Sequence, residues 1–427
     1  MTVDRAMDAI DLCEGGLKGY EPGLASADIL RWLLVTLDFP WPLHHGTWLR
    51  VYHLARSLRR FGDEIAILSH DGEPAGVSRY CEAGVKILPG VQGELHRRGR
   101  SRSFLGPYVY DREFAERLSK VSGQYDIVVL FRPNLLQYTT EASQGGCVIL
   151  DMVDDPMLEE GRRLWLEKHP AQFGRRLKFL MGEYLDERRY LGGVDLSIFV
   201  SEEDSASFRN RHRRFESAWV PNGVDVDFFS RAAGDRAPAG DPVVSFMGNM
   251  VHKPNEEAAV YLLKEIAPLI RRAVPEVRFR IIGSQPSERL SRLVGERVEV
   301  TGWVEDLRPL VWESAVMLMP MQTGTGIKNK LLEAWASGVA VVATKYAIQG
   351  VPARDGENLL VGSTGEELAA KTVRLLRDAE FRGKIGEAGL RTVRENLNWS
   401  QVAGRYRQIA VSRLRAKRAE KRSRMDD

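Results

Sequence analysis

Three cysteines in 427 residues, Cys13, Cys81 and Cys147, are too few and too scattered for a disulfide framework or a zinc site. No run approaches the ~20 apolar residues that a membrane-spanning helix needs. The most apolar segments, VVSFMGNM and AVMLMPM, have the length of strands. A net charge of only +3 gives no argument for nucleic acid as a partner. The opening residues, MTVDRAMDAIDLCEGG, lack the basic start and apolar middle of a secretion signal. A cytoplasmic compartment is the reading these absences leave. What remains is an ordinary globular composition, 44% hydrophobic and 28% charged, in a chain long enough for two domains.

Short apolar runs alternate with amphipathic stretches, the pattern of parallel sheets flanked by helices. Residues 1–28 read as a poorly ordered leader. RWLLVTLDF, EIAILS, DIVVLF, CVILDMV and DLSIFVS then read as strands of a first domain over 29–235. Its first helix, TWLRVYHLARSLRRFG, carries Leu49, Tyr52, His53, Arg56 and Arg60 at helical spacing and stops at Gly62. The stretch SRAAGDRAPAGDP has no apolar period and reads as a linker. PVVSFMGN, VRFRIIG, RVEVTGW, SAVMLMP and VAVVAT restart the pattern in a second domain over 240–395. Residues 396–427 read as a last helix that crosses back to the first domain and ends in a basic tail. The expected fold is α/β, two doubly wound Rossmann-like domains facing across a cleft.

In such sheets ligands lie beyond the carboxyl ends of the strands. The segment QTGTGIKNKLLEAWASG follows the apolar strand AVMLMPM, so its glycines open a helix at that edge. Free backbone N–H groups near Gly326, with Thr325 as cap and Lys328 and Lys330 in the first turns, suit a diphosphate. Ile327, Leu331 and Trp335 form the buried stripe. Lys330 and Glu333, three apart, either pair with each other on the surface or divide a ligand between phosphate and sugar hydroxyls.

VPNGVDVDFF and, about a hundred residues later, GIKNKLLEAWASGVAVVAT resemble the group 1 glycosyltransferases, the retaining GT-B type. FMGNMVHKPNEEA and VTGWVEDLRPLVWESAVMLMPM fall where that family begins its donor domain and carries its next motif. The branch of similar pattern is the sugar transferases of exopolysaccharide clusters. The resemblance implies transfer of a sugar from a nucleotide sugar, without metal or other cofactor, to a saccharide or lipid-linked acceptor. It implies that Glu333 binds the donor ribose and that Gly324, Thr325, Gly326, Ile327 and Lys328 surround the diphosphate with Lys330. It places Gly248 and Asn249 on the donor and Gly46 on the phosphate and acceptor side.

The chain also departs from that family. Thr325 stands where many members have a glutamate against the transferred sugar, and Asn249 where many have a basic residue. On the acceptor side, His45 and Arg132 are candidates to meet phosphate. Asp151, Asp154 and Asp155 follow a buried strand; Asp154 is the candidate to position or deprotonate an acceptor hydroxyl, against turn and cap duty before Pro156. The DxD triplet Asp225–Asp227 reads as a turn. Seven Lys or Arg between Arg413 and Arg424 fit a solvated helix end or contact with an anionic membrane at the inner face of the cell. A non-catalytic nucleotide-sugar binder and a sugar-nucleotide epimerase of the same architecture are the competing functions.

Overall fold

A computed structural model describes residues 29–43, 46–70, 74–90, 108–231, 240–323 and 326–426. These form two parallel sheets. The first contains β1 (Arg31–Val35), β2 (Glu64–Leu68), β3 (Lys86–Ile87), β4 (Ile127–Phe131), β5 (Cys147–Val153), β6 (Leu196–Phe199) and β7 (Ser217–Trp219), in the order β3-β2-β1-β4-β5-β6-β7. The second contains β8 (Val243–Met247), β9 (Arg278–Ile282), β10 (Val298–Val300), β11 (Ser314–Met319), β12 (Ala340–Ala343) and β13 (Leu360–Val361), in the order β10-β9-β8-β11-β12-β13. The doubly wound α/β architecture expected from the sequence is present in both.

Strands β4 and β5, IVVLF and CVILDMV, are buried at every position, which is why they read as unbroken apolar runs rather than alternating ones. Each sheet reverses its strand order beside its first strand, between β1 and β4 and between β8 and β11, so a crevice opens there at the carboxyl ends. Register keeps those ends level: Phe131 pairs with Asp151, which sets the loops after β4 and β5 side by side.

The first sheet has two cores. One face packs on Phe114, Leu118, Tyr138 and Phe208. The other packs on the entry helix Gly46–Arg60 and on the C-terminal helix Trp399–Asp426, which brings Trp399, Val402, Ala403, Tyr406, Ala410 and Leu414 to residues of β1, β2, β4 and β5. The entry helix buries Val51, Leu54, Ala55 and Leu58 together with Arg50, His53 and Ser57. Of the positions picked out by sequence spacing, only His53 is buried, and Arg60 is exposed.

The tail is less free than its composition suggests. Lys417 donates to Asp195 (2.6 Å) and to the Gly146 carbonyl (2.9 Å), Arg418 pairs with Asp126 (2.7 Å), and Arg413 with Glu420 (2.9 Å). Asp126, Gly146 and Asp195 precede β4, β5 and β6, so this helix straps the amino edge of the sheet, opposite the crevice.

Close approach of backbone fixes one glycine in the second sheet. A Cβ on Gly283 would lie 1.8 Å from the Gly248 carbonyl oxygen. Gly283→Ala is expected to force the ends of β8 and β9 apart and to cost roughly 2 kcal/mol, read as a lower urea midpoint.

Candidate functional site

The helix Asn329–Ala336 follows β11, and its first turn carries no acidic residue and no side-chain cap. Its leading N–H groups are therefore left for a ligand. The sequence reading began this helix near Gly326. The structure begins it three residues later, because Gly326 sits in the left-handed region (φ 68°), which a right-handed helix does not accommodate. Of the residues assigned to this loop, Gly324 and Thr325 lie outside the described residues, as does His45 in the loop after β1.

Opposite Asn329 stands Gly46, first residue of the entry helix; a Cβ there would lie 3.2 Å from Asn329 Nδ2. Asn329 Oδ1 accepts from Asn222 Nδ2 (3.2 Å), in the turn after β7. Two helix N-termini, one from each sheet, thus meet at one point. Their dipoles add, and neither has an acidic residue in its first turn to offset them.

Lys330 Nζ donates to Asn255 Oδ1 (2.6 Å) and lies 4.6 Å above the Phe246 ring centroid. Asn255 in turn donates to the Asn249 carbonyl (2.9 Å). Gly248 leaves room for this arrangement: a Cβ would lie 2.8 Å from Lys330 Nζ. The Asn249 side chain is used locally, accepting from Val251 N (3.0 Å). Lys328 Nζ donates to the Gly326 carbonyl (2.8 Å), and Ile327 packs beside Gly350. Burial lowers Lys328 to about 8; burial and then Lys328 lower Lys330 to about 7. Glu333, half-buried, is raised to about 7 by burial, with Lys330 opposing the shift. Its carboxylate makes no hydrogen bond or ion pair with the described residues. The surface Lys–Glu pair that spacing allowed is not formed.

The three carboxylates in and just after the end of β5 separate cleanly. Asp151 is fully buried and paired to Arg50 (2.9 Å). Asp155 caps the next helix through Met157 N (3.1 Å) and holds Arg211 at 2.7 and 2.9 Å. Asp154 has neither duty. A Cβ on Gly326 would touch its Oδ1 at 2.2 Å, so this carboxylate of the first sheet lies against the loop of the second. Burial raises it to about 6, helped by Asp204 and Glu159 and opposed by Lys328.

Backbone outliers mark the same edge. Arg132 (φ 78°) and Val153 (φ 67°) are non-glycine residues in the left-handed region, and they end the adjacent strands β4 and β5. A β-branched residue there is strained, and such strain collects at functional sites. Arg132 itself is exposed, with its charge acting on Tyr108. Asp225 of the DxD triplet caps a helix through Phe228 N (3.2 Å) and pairs with Arg56 (3.1 Å).

Sequence reasoning missed Arg50, Asn222, Asn255 and Asn329. The asparagines lay inside segments already quoted, PNG, KPN and GIKNK, with no role assigned. Arg50 was hidden in an amphipathic helix that carries three other arginines, Arg56, Arg59 and Arg60, none of them buried.

Comparison with known proteins places these features in a family context. Residues 241–378 match the family described as "Glycosyl transferases group 1". Over 247 residues the chain is 29% identical to the lipopolysaccharide core biosynthesis glycosyltransferase LpsE of Rhizobium meliloti, spanning 55% of this chain and 69% of that protein. Among solved structures, sucrose-phosphate synthase from Thermosynechococcus elongatus aligns over 91% of this chain and all of its own, with a TM-score of 0.63 at 18% identity. HepE from Anabaena, solved with UDP and glucose, aligns over 90% of this chain and all of its own, with a TM-score of 0.63 at 13% identity.

Proposed function

We propose, from the premise that this chain carries a group 1 glycosyltransferase domain within a GT-B fold, that it transfers a sugar from a nucleotide-diphosphate sugar to a saccharide or lipid-linked acceptor in the building of cell-surface polysaccharide. One observation carries the reading: two helix N-termini with no acidic residue in the first turn, at Gly46 and Asn329, converge beside Lys328, Lys330 and Glu333, whose carboxylate makes no hydrogen bond or ion pair with the described residues.

The donor diphosphate lies at that convergence, where N–H groups and the two lysines meet the negative charge that grows as the sugar–phosphate bond breaks. Glu333, one turn along, accepts from the ribose hydroxyls. The new bond forms between the acceptor oxygen and the sugar carbon. Asp154, reaching over from the first sheet, orients the acceptor hydroxyl and takes up its proton. Retention of configuration is carried over from the resemblance. The acidic group missing at Thr325 is balanced by a carboxylate on the opposite wall.

Incubation of the full chain with labelled UDP-, GDP-, ADP- and TDP-sugars tests the reading. Transfer or slow hydrolysis of one donor is expected. Binding without turnover turns the reading to a non-catalytic binder, and an epimerised donor to an epimerase.

The charge states set a pH dependence. Asp154 and Glu333 gain charge through about 6 and about 7, whereas Lys330 and Lys328 lose it through about 7 and about 8. The profile of kcat/KM is expected to be bell-shaped and highest near neutrality, roughly tenfold or more lower near pH 5 and near pH 9. A flat profile across that range contradicts these assignments.

A further inference from the structure

The two helices that follow Asp154 carry a surface the site does not use. The helix Pro170–Tyr190 buries Gly182, Glu183, Asp186, Glu187 and Tyr190 on one face. Its opposite face exposes Phe173, Leu177, Met181, Tyr184 and Leu185, each 39% to 50% open. At 100° per residue those five fall within about a third of the helix circumference, a continuous apolar stripe along the helix. The preceding helix, Pro156–Leu166, ends beside Trp165, 89% exposed. Scattered apolar residues on a surface need no account, but an aligned stripe of large ones does.

Charge says what covers it. All three acids of the helix, Glu183, Asp186 and Glu187, are on the buried face. Arg175, Lys178, Arg188 and Arg189 are exposed, so every exposed charge the helix presents is positive. Arg188 lies over the Tyr184 ring at 5.9 Å, within the stripe. The acids of the neighbouring segment, Glu159, Glu160 and Glu167, are taken up by Arg163 and Arg176. Large apolar side chains on a helix whose own exposed charges are all cationic are the composition of an interfacial helix lying on an anionic bilayer. A second copy of the chain fits poorly, because a two-fold contact would bring the same cations against each other. Among the described residues no helix is long and apolar enough to cross a membrane.

We infer that the stripe Phe173–Leu185, with its flanking arginines and lysine, docks this protein on an anionic membrane surface. The contact is peripheral, with the apolar side chains entering the boundary of head groups and acyl chains. Because the helix pair springs from Asp155, the neighbour of Asp154, docking would hold the cleft close to lipid-borne molecules. The surface stands independently of the sugar-transfer reading.

The test is co-sedimentation of the full chain with vesicles of phosphatidylcholine, alone or mixed with phosphatidylglycerol. Binding to the mixed vesicles only, weakened by salt, is expected. The triple variant Phe173→Ser, Leu177→Ser, Met181→Ser should bind at least tenfold more weakly while melting as the wild type does. The pair Arg188→Glu, Arg189→Glu should fall to a similar degree and covers the case in which the triple variant misfolds. Replacing Lys421, Arg422 and Arg424 by Gln in the tail should leave binding in place. The inference fails if wild type ignores phosphatidylglycerol, if the stripe variants bind normally, or if only the tail variant loses binding. It also fails if the stripe variants convert a dimer into a monomer without changing vesicle binding.

Discussion

Arg50→Met is expected to destabilise the protein by about 3–5 kcal/mol, because it strips the partner from a carboxylate with no access to water. Arg50 and Asp151 are both 0% exposed and 2.9 Å apart. The same guanidinium donates to the carbonyls of Val220 (3.0 Å) and Pro221 (3.2 Å) and to Asn222 Oδ1 (3.1 Å), and it lies over the Tyr406 ring. One side chain of the entry helix therefore ties β5, the turn after β7 and the C-terminal helix together. Equilibrium urea unfolding measures the loss. Adding Asp151→Leu to Arg50→Met should recover a large part of it, since two matched apolar residues leave no charge buried alone. A loss below about 1 kcal/mol for the single variant would mean that Asp151 reaches solvent or another cation. Asn222 is the link to Asn329, so the variant should also bind donor more weakly.

Glu333→Gln is expected to lower kcat/KM about 100-fold, roughly 2.7 kcal/mol, through the loss of charged hydrogen bonds to a diol. Stability should move the other way. Burial raises the folded carboxyl from its ordinary value of 4.5 to about 7, so the native state holds a proton that the unfolded chain releases. Between those values the wild type loses stability as pH rises, and glutamine removes that loss. The variant should melt with the wild type near pH 4 and above it near pH 8. Thermal melts at both pH values, read beside donor turnover, separate the charge from the fold. If Glu333→Gln transfers sugar at the wild-type rate, the ribose assignment is wrong.

The strands with their carboxyl-end loops were legible because parallel strands buried on both faces leave unbroken apolar runs. The two shortest, β3 and β13, have two residues each and leave no such trace. The helix bearing Lys330 and Glu333 was legible from its place after β11. Asp154 was picked from the three carboxylates at the end of β5, but the spacing of Asp151, Asp154 and Asp155 is silent on direction. The left-handed turn at Val153 and the partners Arg50 and Arg211 decide it, and those partners lie about a hundred residues before and some fifty after. In the tail, Arg415, Lys421, Arg422 and Arg424 are exposed as a solvated helix end would have them, and the pairing of Lys417 and Arg418 was hidden for a similar reason. A run of cations looks free in sequence, whereas Asp126 and Asp195, which hold Arg418 and Lys417, come more than two hundred residues earlier.

The C-terminal helix also imposes an order on synthesis. A core of the first sheet is completed only by Trp399, Val402, Ala403, Tyr406, Ala410 and Leu414, which emerge from the ribosome after the whole second sheet. At about 5–20 residues per second, the interval between β7 and Trp399 is on the order of 10–40 s. During that time this face of the first sheet is covered by the entry helix without the C-terminal one. That face of the first sheet therefore reaches its full packing only when the helix beginning at Trp399 has been made, well after the strands it covers.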